Sequence, residues 1–391
     1  MSNFLAVLLV LAFGFGQTVK FSLFSPDIRL ALIDIWIFVL ISFTAIFHAR
    51  QLRDELMTHK ILARAAAAFA GLSLLSLVIS GSRYGPAAQF VGSLYWLRWC
   101  GYALSAFCLP ILYPRQKIWR WLLILGGTVV VTGLYQYAFF PDIRSLEIAE
   151  WDPHYFRLVA TWLDPGFTGL LLVFTLIFLT VKPPLNRFIN LVSWGLTYLA
   201  FALTYSRSSY LAFIISMGYI SWRRRSLKFL LLVLLLFTLT LALLPRPGGE
   251  GVKLERTSSI TARLQNWQNS MAIIIHHPVL GVGFNTYRYA QKEFGFLDAS
   301  KWLTSHAGAG ADSSLLFVTA TTGLIGLTAY LYYLKSIFNP QPTSAGIAQR
   351  DNLQLKSTLV ALLVHSLFLN SLFYPAVMLW LALLVAATAR T

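Results

Sequence analysis

Apolar residues in this chain do not alternate with polar ones; they gather in blocks broken by short polar stretches. Twelve blocks can be read, at 3–16, 28–47, 61–80, 90–112, 119–140, 165–181, 188–204, 208–221, 227–245, 313–338, 357–372 and 374–388. Most approach the ~20 residues that carry an α-helix across a bilayer core. The pattern predicts an all-α polytopic membrane protein of about twelve transmembrane helices. The first block is short, but it lacks a basic leading region and a small-residue cleavage site. It reads as a membrane helix and not as a removed signal peptide.

Basic residues choose the sides. The loops after even-numbered blocks hold Arg50, Arg53 and Lys60; Arg115, Lys117 and Arg120; Lys182 and Arg187; Arg223, Arg224, Arg225 and Lys228; and Lys335, Arg350 and Lys356. Basic loops mark the cytoplasmic side, which places both termini there. The chain then divides into N-terminal helices 1–140, helices 141–245 with an outer segment at 141–164, a long extracytoplasmic loop 246–312, and C-terminal helices 313–391. A loop of that length is usually functional. Within it Ile260, Leu264, Trp267, Met271, Ile274 and Ile275 recur at helical spacing, while Arg263, Gln265, Asn266, Gln268 and Asn269 lie off that face. Such a helix, capped by Ser258 or Ser259, can lie at the membrane surface, cover the tops of the bundle, or do both.

Composition agrees with a membrane protein and removes other classes. Of 391 residues, 57% are hydrophobic and 12% charged, about half the charge of an ordinary soluble domain. A disordered chain or a nucleic-acid-binding domain is excluded, despite the formal net charge of +16. Most of that excess falls in the cytoplasmic loops, so it reports topology more than an acidic partner. Cys100 and Cys108 lie inside one apolar block, which indicates neither a disulfide framework nor a metal site.

Several familiar chemistries are missing. Gly281-Val282-Gly283 lacks the third glycine and the preceding strand of a dinucleotide site, and no P-loop occurs. His276 and His277 are adjacent and make a poor metal pair; a solvated or capping role suits them better. No metal and no cofactor is expected. What remains is arginine where arginine is expensive or outward-facing. Arg98 falls inside the fourth block, with Asp34 as a possible partner in a structural ion pair. Arg207 opens an outer helix end, and Arg157, Arg263 and Arg288 lie in the outer segments. Converging arginines suit a diphosphate, because a guanidinium stays charged and binds phosphate oxygens bidentately. For any one of them, a surface or headgroup role is the alternative.

Four segments resemble the O-antigen ligase and O-antigen polymerase family of bacterial membrane glycosyltransferases. They are Arg157 through Asp164-Pro165; Ser206-Arg207-Ser208-Ser209; Arg263 through Trp267 and on to His277-Pro278 and Gly281-Val282-Gly283; and Asp312-Ser313 through Thr322-Gly323 and Gly326. They occur in the family's order over about 157–330, with the long loop in the family's place. Two departures stand out: Asp312 holds the position of the family's histidine, and Asn285 stands near where a further glycine often occurs. Polymerase-like members vary more at the first position than ligases do, which tilts the reading modestly towards polymerase.

The resemblance implies a GT-C-like fold and a polyprenyl-diphosphate-linked oligosaccharide donor, used at the outer face of the cytoplasmic membrane. It also implies an inverting, metal-independent transfer to a glycan or lipid-linked acceptor hydroxyl. Arg207 and Arg263, then Arg288 and Arg157, are the expected diphosphate contacts. Asp312 is the first choice for the general base and His306 the second. The plainer reading of Asp312 is a helix N-cap. A lipid-linked oligosaccharide transporter is the competing class, but no inverted repeat or pair of broken helices is evident in the sequence. A non-catalytic scaffold or receptor, and a protein O-oligosaccharyltransferase of the same family, are further alternatives.

Overall fold

A computed structural model describes residues 2–22, 29–149, 151–183, 186–298, 300, 302–303, 310–339 and 349–388. Fourteen α-helices and one small hairpin make up the described residues. The helices are α1 (Ser2–Phe15), α2 (Leu32–Phe47), α3 (Ala49–Thr58), α4 (Lys60–Leu112), α5 (Arg115–Phe139), α6 (Pro165–Val181) and α7 (Arg187–Ala202). They continue with α8 (Arg207–Arg224), α9 (Leu227–Leu243), α10 (Ser258–His276), α11 (Tyr287–Glu293), α12 (Ser314–Phe338), α13 (Gln349–Ser366) and α14 (Pro375–Thr388). Between α1 and α2, β1 (Lys20–Ser22) pairs antiparallel with β2 (Arg29–Ala31), Phe21 opposite Leu30.

Each of the twelve apolar blocks coincides with a helix, the third and fourth sharing α4. By length and composition α4, α5 and α12 can cross a membrane, and so can α2 with α3 if that pair, bent by 103°, counts as one span. The apolar helix α6 is buried along nearly its whole length, as expected of a helix hydrophobic on all sides. At the predicted cytoplasmic end, buried Asp351 pairs with Arg115 and, at 2.7 Å, with Lys182.

The helix α4 is a hairpin. An unbroken helix of its length would extend about 80 Å, but Gly85 sits at φ 82, ψ 173 before Pro86 and reverses the chain. Trp96 Nε1 donates to Ala70 O at 2.9 Å and Gln89 Nε2 to Val78 O at 3.0 Å, so the two arms run antiparallel. The gap between the third and fourth blocks is this turn.

The helix α12 breaks too, and here the structure corrects the sequence reading of one span over 313–338. Phe317 and Tyr330 both pack on Phe373, with ring centroids 5.3 and 5.5 Å away, whereas a straight helix would set them about 20 Å apart. The chain folds back at Gly323, φ 69, ψ −174. Its backbone groups are satisfied from the distant loop after α10. Val282 N–H donates to Ala320 O and Gly283 N–H to Thr321 O, both at 2.9 Å, while Leu324 N–H donates to Pro278 O at 2.8 Å. From α4, the Ser76 hydroxyl lies 2.6 Å from Leu280 O and 2.8 Å from Thr321 O. A Cβ on Gly323 would fall 2.0 Å from Val279 O, and one on Gly281 would fall 2.4 Å from the Thr321 carbonyl carbon. Those glycines are demanded by backbone meeting backbone.

The amphipathic helix α10 starts one residue from where it was expected: its N-cap is Thr257, and the Ser259 hydroxyl is taken by Arg207. Of the two roles foreseen for it, the structure displays the packing one, with α10 laid against α12. Ile260, Leu264, Met271 and Ile275 are exposed, while Ser270, Ile273 and Ile274 are buried on the adjoining flank. His277 caps its C-terminus and its ring meets Arg83.

Candidate functional site

The N-termini of α6, α8 and α12 meet the C-terminus of α13. Each start is capped by a local polar side chain. Asp164 Oδ1 accepts from Gly166 and Phe167 N–H, at 2.6 and 2.9 Å, with Pro165 supplying the first helical turn. Ser206 caps α8 and Ser313 caps α12. The cap of α12 is therefore Ser313 and not Asp312, which leaves the Asp312 carboxylate outside that role. Buried His365 of α13 joins the starts: its Nε2 lies 3.2 Å from both Ser208 Oγ and Ser209 Oγ, and its Nδ1 lies 2.6 Å from Ser371 Oγ. Ser209 Oγ donates to Gly166 O at 3.0 Å, and Ser314 Oγ accepts from Leu372 N–H at 3.1 Å.

Above this junction is a cleft of about 270 Å³ lined by Arg207, Ser208, Leu211, Ile260, Arg263, Leu264, Trp267 and Phe368. Two guanidiniums thus stand over apolar walls. Arg207, the first residue of α8, donates to Leu254 O at 3.1 Å, to Arg256 O at 2.9 Å and to Ser259 Oγ. A cation at a helix N-terminus opposes the macrodipole, an arrangement that an added anion relieves. Arg263 makes no hydrogen bond or ion pair among the described residues. Burial lowers its pKa, opposed by the Asp312 carboxylate, while Arg207 lowers it further.

Asp312 is fixed by α10. Its N–H donates to Asn266 Oδ1 at 2.7 Å, and Trp267 Nε1 donates to its carbonyl at 3.3 Å. Burial raises its carboxyl pKa and the nearby Arg263 charge opposes the rise. Arg157 is also near this cluster, buried and tied to the turn before α8: its Nε donates to Thr204 O at 3.0 Å. Burial holds its pKa down to about 9, with Arg256 lowering it further.

Arg288 is elsewhere. It donates to Trp302 O at 2.7 Å and to Leu303 O, and it lines a second cavity of about 190 Å³ together with Arg98. Arg98 meets Asp34 Oδ2 at 2.7 Å, as the ion-pair reading anticipated, and Tyr102 OH donates to the same carboxylate at 3.0 Å. The connector between α13 and α14 separates the cavities: Phe368 faces the first, Asn370 and Phe373 the second.

A family model described as O-antigen ligase matches residues 191–331. Those residues are similar to the O-antigen ligase family. The matched segment begins within α7 and ends within the second arm of α12. It contains Arg207, Arg263, Arg288, Asp312 and the glycines at the α12 break. Arg157, His365 and the α13–α14 connector lie outside it. No curated protein matches the chain.

The structure therefore brings Arg207, Arg263, Arg157 and Asp312 together and sets Arg288 apart. His306 lies outside the described residues. Sequence reasoning missed Arg256, whose guanidinium donates to Gly251 O at 2.7 Å and couples electrostatically to Arg207 and Arg263. It also missed His365 and Asn370. A histidine inside the apolar block 357–372 was the available signal, since ionisable groups at that depth usually have a partner or a task.

Proposed function

We propose that this protein is a bacterial membrane glycosyltransferase that polymerises or ligates surface polysaccharide from a polyprenyl-diphosphate-linked donor. It works at the outer face of the cytoplasmic membrane as a polytopic membrane protein, with both termini in the cytoplasm and 246–312 outside. The observation that carries this reading is the cleft in which Arg207 and Arg263 stand over Leu211, Ile260, Leu264, Trp267 and Phe368. Such a cleft suits one molecule with an anionic head and an apolar chain. The exposed apolar row of α10 runs into it and offers that chain a path from the bilayer.

In this reading the diphosphate sits against Arg263, whose donors are unspent among the described residues, and against the remaining donors of Arg207. Arg157 and Arg256 add positive potential. An acceptor hydroxyl attacks the anomeric carbon from the face opposite the diphosphate; the new glycosidic bond forms as the bond to the diphosphate oxygen breaks, with inversion. Asp312 takes the hydroxyl proton and later releases it to water. The negative charge developing on the leaving diphosphate is met by arginines already in place.

The test uses purified full-length protein and a defined polyprenyl-diphosphate oligosaccharide. Mass spectrometry is expected to show repeats lengthening, with the sugar-free polyprenyl diphosphate as co-product. Transfer to lipid A-core or to a protein instead would make it a ligase or a protein oligosaccharyltransferase. Intact donor after prolonged incubation with each acceptor class would overturn the proposal.

A further inference from the structure

The geometry points to the second cavity as a subsite for one pyranose ring of the acceptor glycan, with Asn285 as the residue that sets which ring fits. This rests on the glycosyl-transfer reading above. The cavity's roughly 190 Å³ would hold about six waters at liquid density, the scale of one sugar ring and not of a whole repeat unit. Its walls carry the two chemistries a pyranose needs. Tyr95 and Phe373 offer aromatic surface for the ring's C–H faces, and Asn285, Arg288 and Asn370 offer amide and guanidinium groups for its hydroxyls.

Two further observations aim the site at a hydroxylated ligand. Asn370 Oδ1 is buried with no hydrogen-bond partner among the described residues, an acceptor suited to a sugar hydroxyl. Asn285 sits at φ 59, the left-handed region that glycine occupies freely and asparagine tolerates. A residue with a side chain is thus held where none is sterically preferred, and that side chain lines the cavity.

The position also fits an acceptor. The connector forms a wall common to both cavities. A Cβ on Gly310 would lie 3.3 Å from Asn370 Nδ2, two residues along the chain from Asp312. A ring held in the second cavity therefore lies across the connector from the arginine cleft, against the chain segment that leads into Asp312.

The experiment uses the full chain in lipid nanodiscs. Saturation-transfer-difference NMR is recorded with a panel of methyl glycosides of glucose, galactose, mannose, rhamnose and glucuronic acid. Binding of sugar-free polyprenyl diphosphate is measured separately. At least one glycoside is expected to bind the wild type. Its signal should fall fivefold or more in Asn370→Ala, and the order of preference should change in Asn285→Gly, which accepts the same backbone angle. Both variants should retain polyprenyl diphosphate binding. No glycoside binding by the wild type, or unchanged signal and preference in both variants, overturns the subsite. Glycoside binding without polyprenyl diphosphate binding supports the subsite and counts against the proposed donor.

Discussion

Gly85 and Gly323 hold almost the same backbone angles, and each folds a helix back on itself, yet they depend on different parts of the molecule. A Cβ on Gly85 would meet nothing within 4 Å, while one on Gly323 would strike the Val279 carbonyl. The first reversal is local: glycine, then proline, then two arms packing against each other. The second is built by the 278–283 segment, which supplies and takes the hydrogen bonds that an unbroken helix would have made internally. A shared dihedral angle says little about what enforces it. Only the second reversal belongs to the element that carries Asp312 and Ser313 into the arginine cluster.

The largest effect separates the two directly. Gly323→Ala combines backbone overlap with a glycine-only conformation and should cost about 4 kcal/mol or more, read as loss of folded protein in size exclusion and thermal unfolding. Arg263→Ala tests what the second reversal positions. Turnover should fall about 10²- to 10³-fold with little loss of thermal stability, because this guanidinium makes no hydrogen bond or ion pair among the described residues. Normal turnover would sink the arginine role.

Smaller effects sharpen the contrast. Gly85→Ala should cost about 1–3 kcal/mol of backbone strain and leave turnover intact; a loss equal to that of Gly323→Ala would erase the distinction. Ser76 lends a hydroxyl from the first hairpin to the second, so Ser76→Ala should cost about 1 kcal/mol in chemical unfolding.

The smallest is a shift in pH. Asp312 must be ionised to accept a proton, so turnover falls as pH drops through its pKa. Burial places that pKa above the ordinary 3.8 and Arg263 opposes the rise. Arg263→Gln removes the opposition, and the acid limb of its residual pH–rate profile should move to higher pH. In Gly85→Ala the limb should stay put. An unmoved limb in Arg263→Gln would count against Asp312 as the base.

The same contrast explains what the sequence made legible. Helix positions were readable because apolar blocks are continuous and their interruptions are local; the α4 turn announces itself as Gly85-Pro86 between two blocks. The α12 break does not, because its apolar run continues through Gly323 and the enforcing partners lie some forty residues earlier. Arg207, Arg263 and Asp312 were found because they stand in outer segments whose short motifs resemble a known family. Arg288 was grouped with them because sequence gives side but not lateral position, and only tertiary packing assigns it to another cavity. Asn370 escaped notice at the end of an apolar block, where an amide looks like an ordinary loop residue.

Helix lengths carry a final consequence. With 14 and 17 residues, α14 and α6 rise about 21 and 26 Å, while the 25 residues of α5 rise about 37 Å. A hydrocarbon core of about 30 Å matches neither short helix, but both are buried by neighbouring helices, which take up the difference in length in place of lipid. Under the proposed function, bilayer thickness matters at the arginine cleft instead. Lipids with longer chains would raise the headgroup plane above Arg207 and Arg263, and shorter ones would bring a carrier's diphosphate level with them. Bilayer thickness would then set the depth at which such a carrier meets Arg207 and Arg263.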